Sequence, residues 1–126
     1  MFVRVYYEDT DAGGIVYHTN YIKYCERARS EKFFKKSIMP IGEQGSSFVI
    51  RHIDANFLGM AYLGDMLEIQ TKPIKKRHTS MVLKHSIFNK NEKIFEMEVL
   101  LVFIKEGKPS RIPQYILEVL IPKNNE

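Results

Sequence analysis

Apolar and polar residues alternate over three stretches in the second half of the chain, and this alternation predicts three β-strands. Side chains two residues apart lie on the same face of a strand, so each stretch has one face suited to a core. The core-facing positions are Leu67, Ile69, Thr71, then Met81, Leu83, His85, Ile87, then Phe95, Met97, Val99, Leu101 and Phe103. Strands that follow one another through short turns predict an antiparallel sheet.

A different spacing precedes these strands. Residues 2–7 are aromatic and β-branched and predict a first strand, while residues 8–16 are polar and glycine-rich and predict a loop. Residues 21–36 contain neither Gly nor Pro and carry apolar side chains at helical intervals, which predicts the longest helix of the chain. Thr19 and Asn20 precede it and suit the N-cap position.

The region after the helix is predicted to be a connection followed by a long extended segment. Residues 37–47 hold Pro40, Gly42 and Gly45, which favour a loop. Residues 48–60 predict a strand. Its expected inward face carries Val49, Ile53, Ala55 and Phe57.

Turn and breaker residues separate the later elements. Residues 62–65 predict a turn, and residues 89–92 predict a hairpin connection. Pro73 indicates an edge or a bulge, because proline cannot donate to the ladder. Pro113 suits the first turn of a short helix at residues 114–120.

The order of strand, long helix, about four strands and short helix predicts an α+β fold in a single domain, residues 1–126. Hydrophobic residues make up 44% of the chain, enough for one core, and no apolar run approaches the roughly 20 residues of a membrane span. The first residues favour a strand rather than a signal peptide. The single cysteine, Cys25, fits a reducing cytoplasm, and the net charge of +4 does not choose among anionic partners.

The stretch from Tyr7 to Tyr21 concentrates the candidate chemistry. It contains the carboxylates of Glu8, Asp9 and Asp11, a glycine pair and His18, and it leads directly into the predicted helix. A carboxylate can act as nucleophile or general base, and free N–H groups at a helix N-terminus suit an oxyanion. Composition alone does not choose among the three acids, and a solvated or helix-capping carboxylate is the alternative for each.

Residues 5–18, together with Asn20-Tyr21 and residues 26–29, resemble the acyl-CoA thioesterases of the hotdog fold. The resemblance is to the 4-hydroxybenzoyl-CoA thioesterase-like branch, and within it to the Tol-Pal-associated acyl-CoA thioesterase family. It implies a long central helix wrapped by a curved antiparallel sheet. It also implies homodimers that pair their sheets edge to edge and assemble further into tetramers, with the active site at the subunit interface.

The resemblance assigns a role to particular residues. Asp11, the second aspartate of Asp-Thr-Asp, is implied to be catalytic, and a backbone N–H at or next to His18 is implied to polarise the thioester carbonyl. His18 and Tyr7 are secondary catalytic candidates, whereas Glu8, Asp9 and Thr10 are expected to make turn and cap hydrogen bonds. Gly13, Gly14 and Tyr17 are candidates for substrate binding. Independently of the resemblance, the basic residues Lys75, Lys76 and Arg77 at a strand end suit the phosphates of CoA, with a solvated, lysine-rich edge as the alternative. His52, His85 and Cys25 suit packing positions. No metal is expected, because the His and Asp spacings match no metal motif, and no cofactor is expected, because the CoA thioester is itself the substrate.

The function expected on this basis is hydrolysis of an aliphatic acyl-CoA to the free acid and CoA in lipid metabolism. Two alternatives remain: a hotdog hydratase or dehydratase, and a non-enzymatic module that binds acyl thioesters. Acyl carrier protein and the inner-membrane surface are further candidate partners of this cytoplasmic chain. Nucleic acid is not expected, because no recognised nucleic-acid motif accompanies the basic residues. Acyl chain length and the choice between nucleophilic and general-base routes stay open.

Overall fold

A curled antiparallel sheet wraps around one long helix in the computed structural model, which describes residues 1–122. The elements are β1 (Phe2–Arg4), α1 (Thr19–Phe34), β2 (Ser47–Phe57), β3 (Met66–Lys76), β4 (Ser80–Asn89), β5 (Glu92–Lys105), β6 (Lys108–Pro109) and α2 (Gln114–Leu120). The sheet order is β1-β3-β4-β5-β2, with β6 beside β5, and every pair is antiparallel. This is the predicted α+β hotdog layout.

The core lies between α1 and the inner faces of β3, β4 and β5. The predicted alternation is confirmed on β4 and β5, whose inward side chains are all buried. On α1 the buried face includes Tyr21, Tyr24, Cys25 and Ala28, and the ring of Tyr21 stacks on Phe95 at 5.4 Å between centroids. Full burial of one large apolar side chain stabilises the fold by roughly 1.5–3 kcal/mol.

The predicted connections between the strands are also confirmed. Lys90 and Asn91 both have positive φ, at 51° and 69°, and they form the two-residue turn between β4 and β5. The pairing of β3 with β4 shifts between Pro73 and Lys75, so Pro73 lies at a bulge. Helix α2 follows Pro113 with the predicted bounds.

The start of α1 differs from the prediction. The helix begins at Thr19 with His18 at the N-cap position, so the assignment of Thr19 and Asn20 as caps is wrong. The side chain of Asn20 instead donates to the carbonyl of Asp9 at 2.8 Å. The helix ends at Phe34, two residues early, because the chain turns away through Ser37, which has a φ of 57°.

The first two strands also differ. Strand β1 ends at Arg4, since the chain enters a short 3-10 turn at Tyr7–Asp9. In β2, a bulge between Ile50 and His52 shifts the register against β5. Val49 therefore does not share the inner face with Ile53, and Phe48 packs against Phe103 in its place, 5.4 Å between ring centroids. Among the described residues no helix is long and apolar enough to cross a membrane.

Candidate active site

Asp11 lies on a small hairpin between β1 and α1 that backbone hydrogen bonds close. The N–H of Asp11 donates to the carbonyl of Ile15 at 2.9 Å, and the N–H of Gly14 donates to the carbonyl of Asp11 at 3.0 Å. The side chain is exposed, and its Oδ1 accepts the N–H of Gly13 at 2.8 Å. The turn thus fixes one carboxylate oxygen and presents the other to the outside of the chain.

The two glycines of this hairpin do different work. Gly14 has a φ of 82°, a region that an L side chain adopts only with strain, although a Cβ there would meet no atom. Gly13 has no such dihedral, but a Cβ added to it would lie 3.3 Å from Oδ1 of Asp11. Gly14 therefore shapes the backbone, and Gly13 leaves room for the carboxylate.

We expect Gly14→Ala to lower the free energy of unfolding by about 1–2 kcal/mol, because the Cβ of alanine makes the positive φ of residue 14 unfavourable. Gly13→Ala is the matched control and should stay within about 0.5 kcal/mol of the wild type, since the exposed Asp11 side chain can shift slightly. Urea denaturation of the three proteins measures the difference. Equal stability of both variants would show that the hairpin tolerates another dihedral at residue 14.

Asp9 joins this hairpin to the start of α1. Its buried carboxylate accepts the N–H of Tyr6 at 2.9 Å, and its carbonyl accepts both the N–H of Tyr17 at 2.9 Å and the side-chain amide of Asn20 at 2.8 Å. Burial and the neighbouring Asp9 carboxylate raise the pKa of Tyr24 well above its usual value. Asp9 therefore has a structural role. Its hydrogen bonds tie the segment that leads into Asp11 to the residues on either side of His18.

The first turn of α1 offers free donors beside this junction. The N–H of Asn20 closes a turn onto the carbonyl of Tyr17, whereas the N–H groups of His18 and Thr19 donate to no carbonyl within residues 1–122. These groups carry the partial positive charge of the helix N-terminus. The exposed ring of His18 lies 4.6 Å from that of Tyr17 and 6.0 Å from that of Phe57, centroid to centroid.

The remaining predicted site residues are Tyr7, next to the hairpin, and three basic residues at the end of β3, which lie far from it. The side chain of Tyr7 is 82% exposed, and its carbonyl accepts the N–H and the hydroxyl of Thr10. Lys75, Lys76 and Arg77 lie at or just past the far end of β3, roughly 33 Å along the strand from Met66. The hairpin contacts the segment that leads into Met66, so one protomer does not bring these cations to Asp11.

Sequence reasoning missed a buried charge at Arg29. Nη1 of Arg29 lies 2.9 Å from Nε2 of His85, and Nδ1 of His85 lies 2.8 Å from the hydroxyl of Thr71. The helical spacing contains a signal for this position, because Arg29 follows the buried Tyr21 and Cys25 at four-residue steps. His85 packs inside the sheet, as predicted, whereas His52 is exposed, so the predicted packing position of His52 is wrong.

The profile of the Thioesterase superfamily matches residues 13–96 of the chain. The chain is 44% identical to the acyl-CoA thioesterase YbgC of Helicobacter pylori, over 95% of this chain and 98% of that protein. It is 42% identical to the acyl-CoA thioester hydrolase YbgC of Escherichia coli, over 91% and 90% of the two chains. A crystal structure of a probable thioesterase from Bartonella henselae superposes with a TM-score of 0.84 at 29% identity, over 90% and 97% of the two chains.

Proposed function

The chain belongs to the thioesterase superfamily, and we propose that it is an acyl-CoA thioesterase in which Asp11 performs the hydrolysis. The observation that carries the assignment of Asp11 is its position on a hydrogen-bonded hairpin. Through Asp9, this hairpin is joined to a helix start with free N–H donors. The names of the relatives at 42–44% identity support the acyl-CoA substrate class. The products are the free acid and CoA.

The proposed chemistry needs an ionised carboxylate and a stabilised oxyanion. The carboxylate of Asp11 either attacks the thioester carbon, giving a mixed anhydride that water then hydrolyses, or it removes a proton from the attacking water. In both routes the C–S bond breaks and CoA leaves as thiolate, which takes up a proton. The N–H groups of His18 and Thr19 are the proposed oxyanion donors, and loss of one such donor typically raises a barrier by roughly 2.7–4 kcal/mol.

His18, Gly13, Gly14 and Tyr17 complete the proposed site around Asp11. The imidazole of His18 is exposed beside the rings of Tyr17 and Phe57, where it could hold the water or protonate the departing thiolate. We propose an aliphatic acyl group for the substrate. Thiol release across a series of acyl-CoA chain lengths, with one aromatic CoA ester included, tests that choice.

We further propose that the active unit is a homodimer formed by pairing two β2 strands, which assembles into a tetramer. Strand β2 is an edge of the sheet, with its outer side unpaired in the described chain. It carries exposed apolar side chains at Val49, Ile50 and Phe57. An exposed, long and apolar edge strand promotes aggregation, because its unpaired N–H and C=O groups can pair with another chain. Pairing with a second copy of β2 would satisfy these groups.

This pairing gives the basic residues of β3 a role in the site. The start of β2 and the end of β3 lie at one end of the sheet, since Ser47 pairs with Ile104, Ser80 with Val102 and Lys76 with Met81. A two-fold axis near the middle of β2 places this end beside the Asp11 hairpin of the partner. Lys75, Lys76 and Arg77 of one protomer can then hold the CoA phosphates of the other protomer's substrate.

Neutralising Lys75, Lys76 and Arg77 together to glutamine is expected to raise KM for acyl-CoA about 10- to 100-fold with kcat nearly unchanged. The reason is that contacts to phosphates far from the reacting carbon bind substrate and transition state equally. Added salt should raise KM of the wild type and leave the variant less affected. A control variant with Lys23, Lys36 and Lys90 changed to glutamine loses the same charge elsewhere, and an equal rise in its KM would contradict the assignment.

A further inference from the structure

The cavity that carries the further inference lies between α1, the first half of β2 and α2, and its volume is about 440 Å³. Apolar side chains form most of its wall, and Glu26 and Arg29 of α1 are its charged members. Among the apolar ones are Phe33, Phe48, Ile50 and Leu101. No residue of the Asp11 hairpin lines it, so within one protomer this cavity is separate from the proposed catalytic groups.

Arg29 is buried in this wall without an acid. Its side chain is only 8% exposed, and no carboxylate of residues 1–122 lies within ion-pair distance of it. Removing a charge from water without a partner is unfavourable, and burial lowers the pKa of Arg29 accordingly. The guanidinium nevertheless stays protonated, because its ordinary pKa is so high. The cavity wall therefore contains a buried positive charge with no ion-pair partner among residues 1–122, although the Glu26 carboxylate, beyond ion-pair distance in the same wall, favours the charged form.

His85 holds the guanidinium in place. A guanidinium can only donate, so Nε2 of His85 accepts from Arg29 at 2.9 Å and Nδ1–H donates to the hydroxyl of Thr71 at 2.8 Å. Burial and the charges of Arg29 and Lys32 lower the pKa of His85 to about 3, so the imidazole is neutral as this arrangement requires. The histidine orients Arg29 without neutralising it.

Most of the donors of Arg29 have no partner among residues 1–122. Nη1 alone is engaged within the described chain, and among residues 1–122 the fully buried, unpaired side-chain atoms are the Tyr24 hydroxyl and Oδ1 of Asn89. The other guanidinium nitrogens are not among these atoms, and Arg29 is one of the residues that line the cavity. A fixed guanidinium with two free nitrogens matches the bidentate geometry of a carboxylate.

We propose that this cavity binds a carboxylate at the far end of the acyl chain, and that the preferred substrates are ω-carboxyacyl-CoA thioesters. This inference rests on the proposed function and on the β2 pairing. Ser47 and Phe48, at the start of β2, line the cavity. In the proposed pairing, the start of one β2 strand lies beside the end of the other, where Phe57 contacts His18. An acyl chain held at the partner's Asp11 can thus enter this cavity and reach Arg29.

The test compares thiol release from ω-carboxyacyl-CoA and unsubstituted acyl-CoA of equal chain length, over a series of lengths. For the wild type we expect kcat/KM to favour the ω-carboxylate by at least about tenfold at the best length, as expected of a charged hydrogen bond. Arg29→Met should lower this ratio at least about tenfold. Glu26→Gln should raise it, because that exposed carboxylate at the cavity repels the ligand.

Lys36→Met is the matched control, because Lys36 is an exposed lysine just past the end of α1 and does not line the cavity. Its ratio should stay within about twofold of the wild type. A wild-type preference for the unsubstituted ester at every length overturns the inference and leaves the thioesterase assignment standing. An unchanged ratio in a folded Arg29→Met protein overturns it too. Thiol release from neither ester would overturn the proposed function itself.

Circular dichroism establishes whether Arg29→Met folds. If Arg29→Met does not fold, two other measurements test the inference. One is the substrate preference of Glu26→Gln, and the other compares inhibition of the wild type by free dicarboxylic acids with inhibition by monocarboxylic acids of equal length. Stronger inhibition by the dicarboxylic acids, increased further in Glu26→Gln, supports the inference. Equal inhibition by the two acids overturns it.

Discussion

Asp11→Asn is expected to lower kcat/KM for acyl-CoA hydrolysis by about 10³-fold or more while the protein stays folded. Asparagine keeps an oxygen that can accept the N–H of Gly13, so the hairpin needs no rearrangement. The amide, however, is neither a nucleophile nor a base, and general-base catalysis alone contributes roughly 10²- to 10⁴-fold. Because the side chain is exposed, the unfolding free energy should change by less than about 0.5 kcal/mol.

Release of free thiol from acyl-CoA, followed in a continuous assay, measures the loss. Glu8→Gln is the matched control, because Glu8 is an exposed carboxylate three residues away with no side-chain hydrogen bond within residues 1–122. Its activity should remain within about twofold of the wild type. Wild-type activity in a folded Asp11→Asn protein would remove Asp11 from the mechanism.

The surroundings of Glu8, Asp9 and Asp11 in the fold explain why the sequence alone could not choose the catalytic carboxylate. Residue types alone left Glu8, Asp9 and Asp11 equivalent, and the family resemblance singled out Asp11. In the folded chain Asp9 is buried and its carboxylate and carbonyl accept three hydrogen bonds, whereas Asp11 is exposed and shares one oxygen with its own turn. The difference arises from contacts with Tyr6, Tyr17 and Asn20, which the linear sequence does not specify.

The strands likewise show which features follow from the local sequence pattern and which depend on contacts between distant residues. On β4 and β5 the side-chain alternation was sufficient, because each strand is paired regularly along most of its length and keeps one face inward. On β2 the alternation failed at Val49, because the bulge between Ile50 and His52 is set by pairing with β5. The burial of Arg29 was not predicted, because its hydrogen-bond partner in the core, His85, lies 56 residues away along the chain.

The second large effect is expected from Ala55→Pro, which should separate the proposed β2-paired dimer and abolish most of the activity. Leu58 donates its N–H to the carbonyl of Ile94 at 2.9 Å, so the N–H of Leu58 faces β5. In an antiparallel pair the direction of the N–H groups alternates, so those of Ile53, Ala55 and Phe57 face the outer edge. Proline at residue 55 therefore removes a donor from the edge and leaves the internal ladder to β5 intact.

The variant should run as a monomer in size-exclusion chromatography with light scattering, and acyl-CoA hydrolysis should fall by about 100-fold or more. Activity should fall because the substrate would lose its contacts with Lys75, Lys76 and Arg77 of the other protomer and with the cavity of that protomer. Ala55→Val is the control: it keeps the N–H and suits a strand, so it should stay dimeric and active. A monomeric Ala55→Pro protein with full activity would show that one chain holds a complete site. A dimer with full activity would show that the interface lies away from β2.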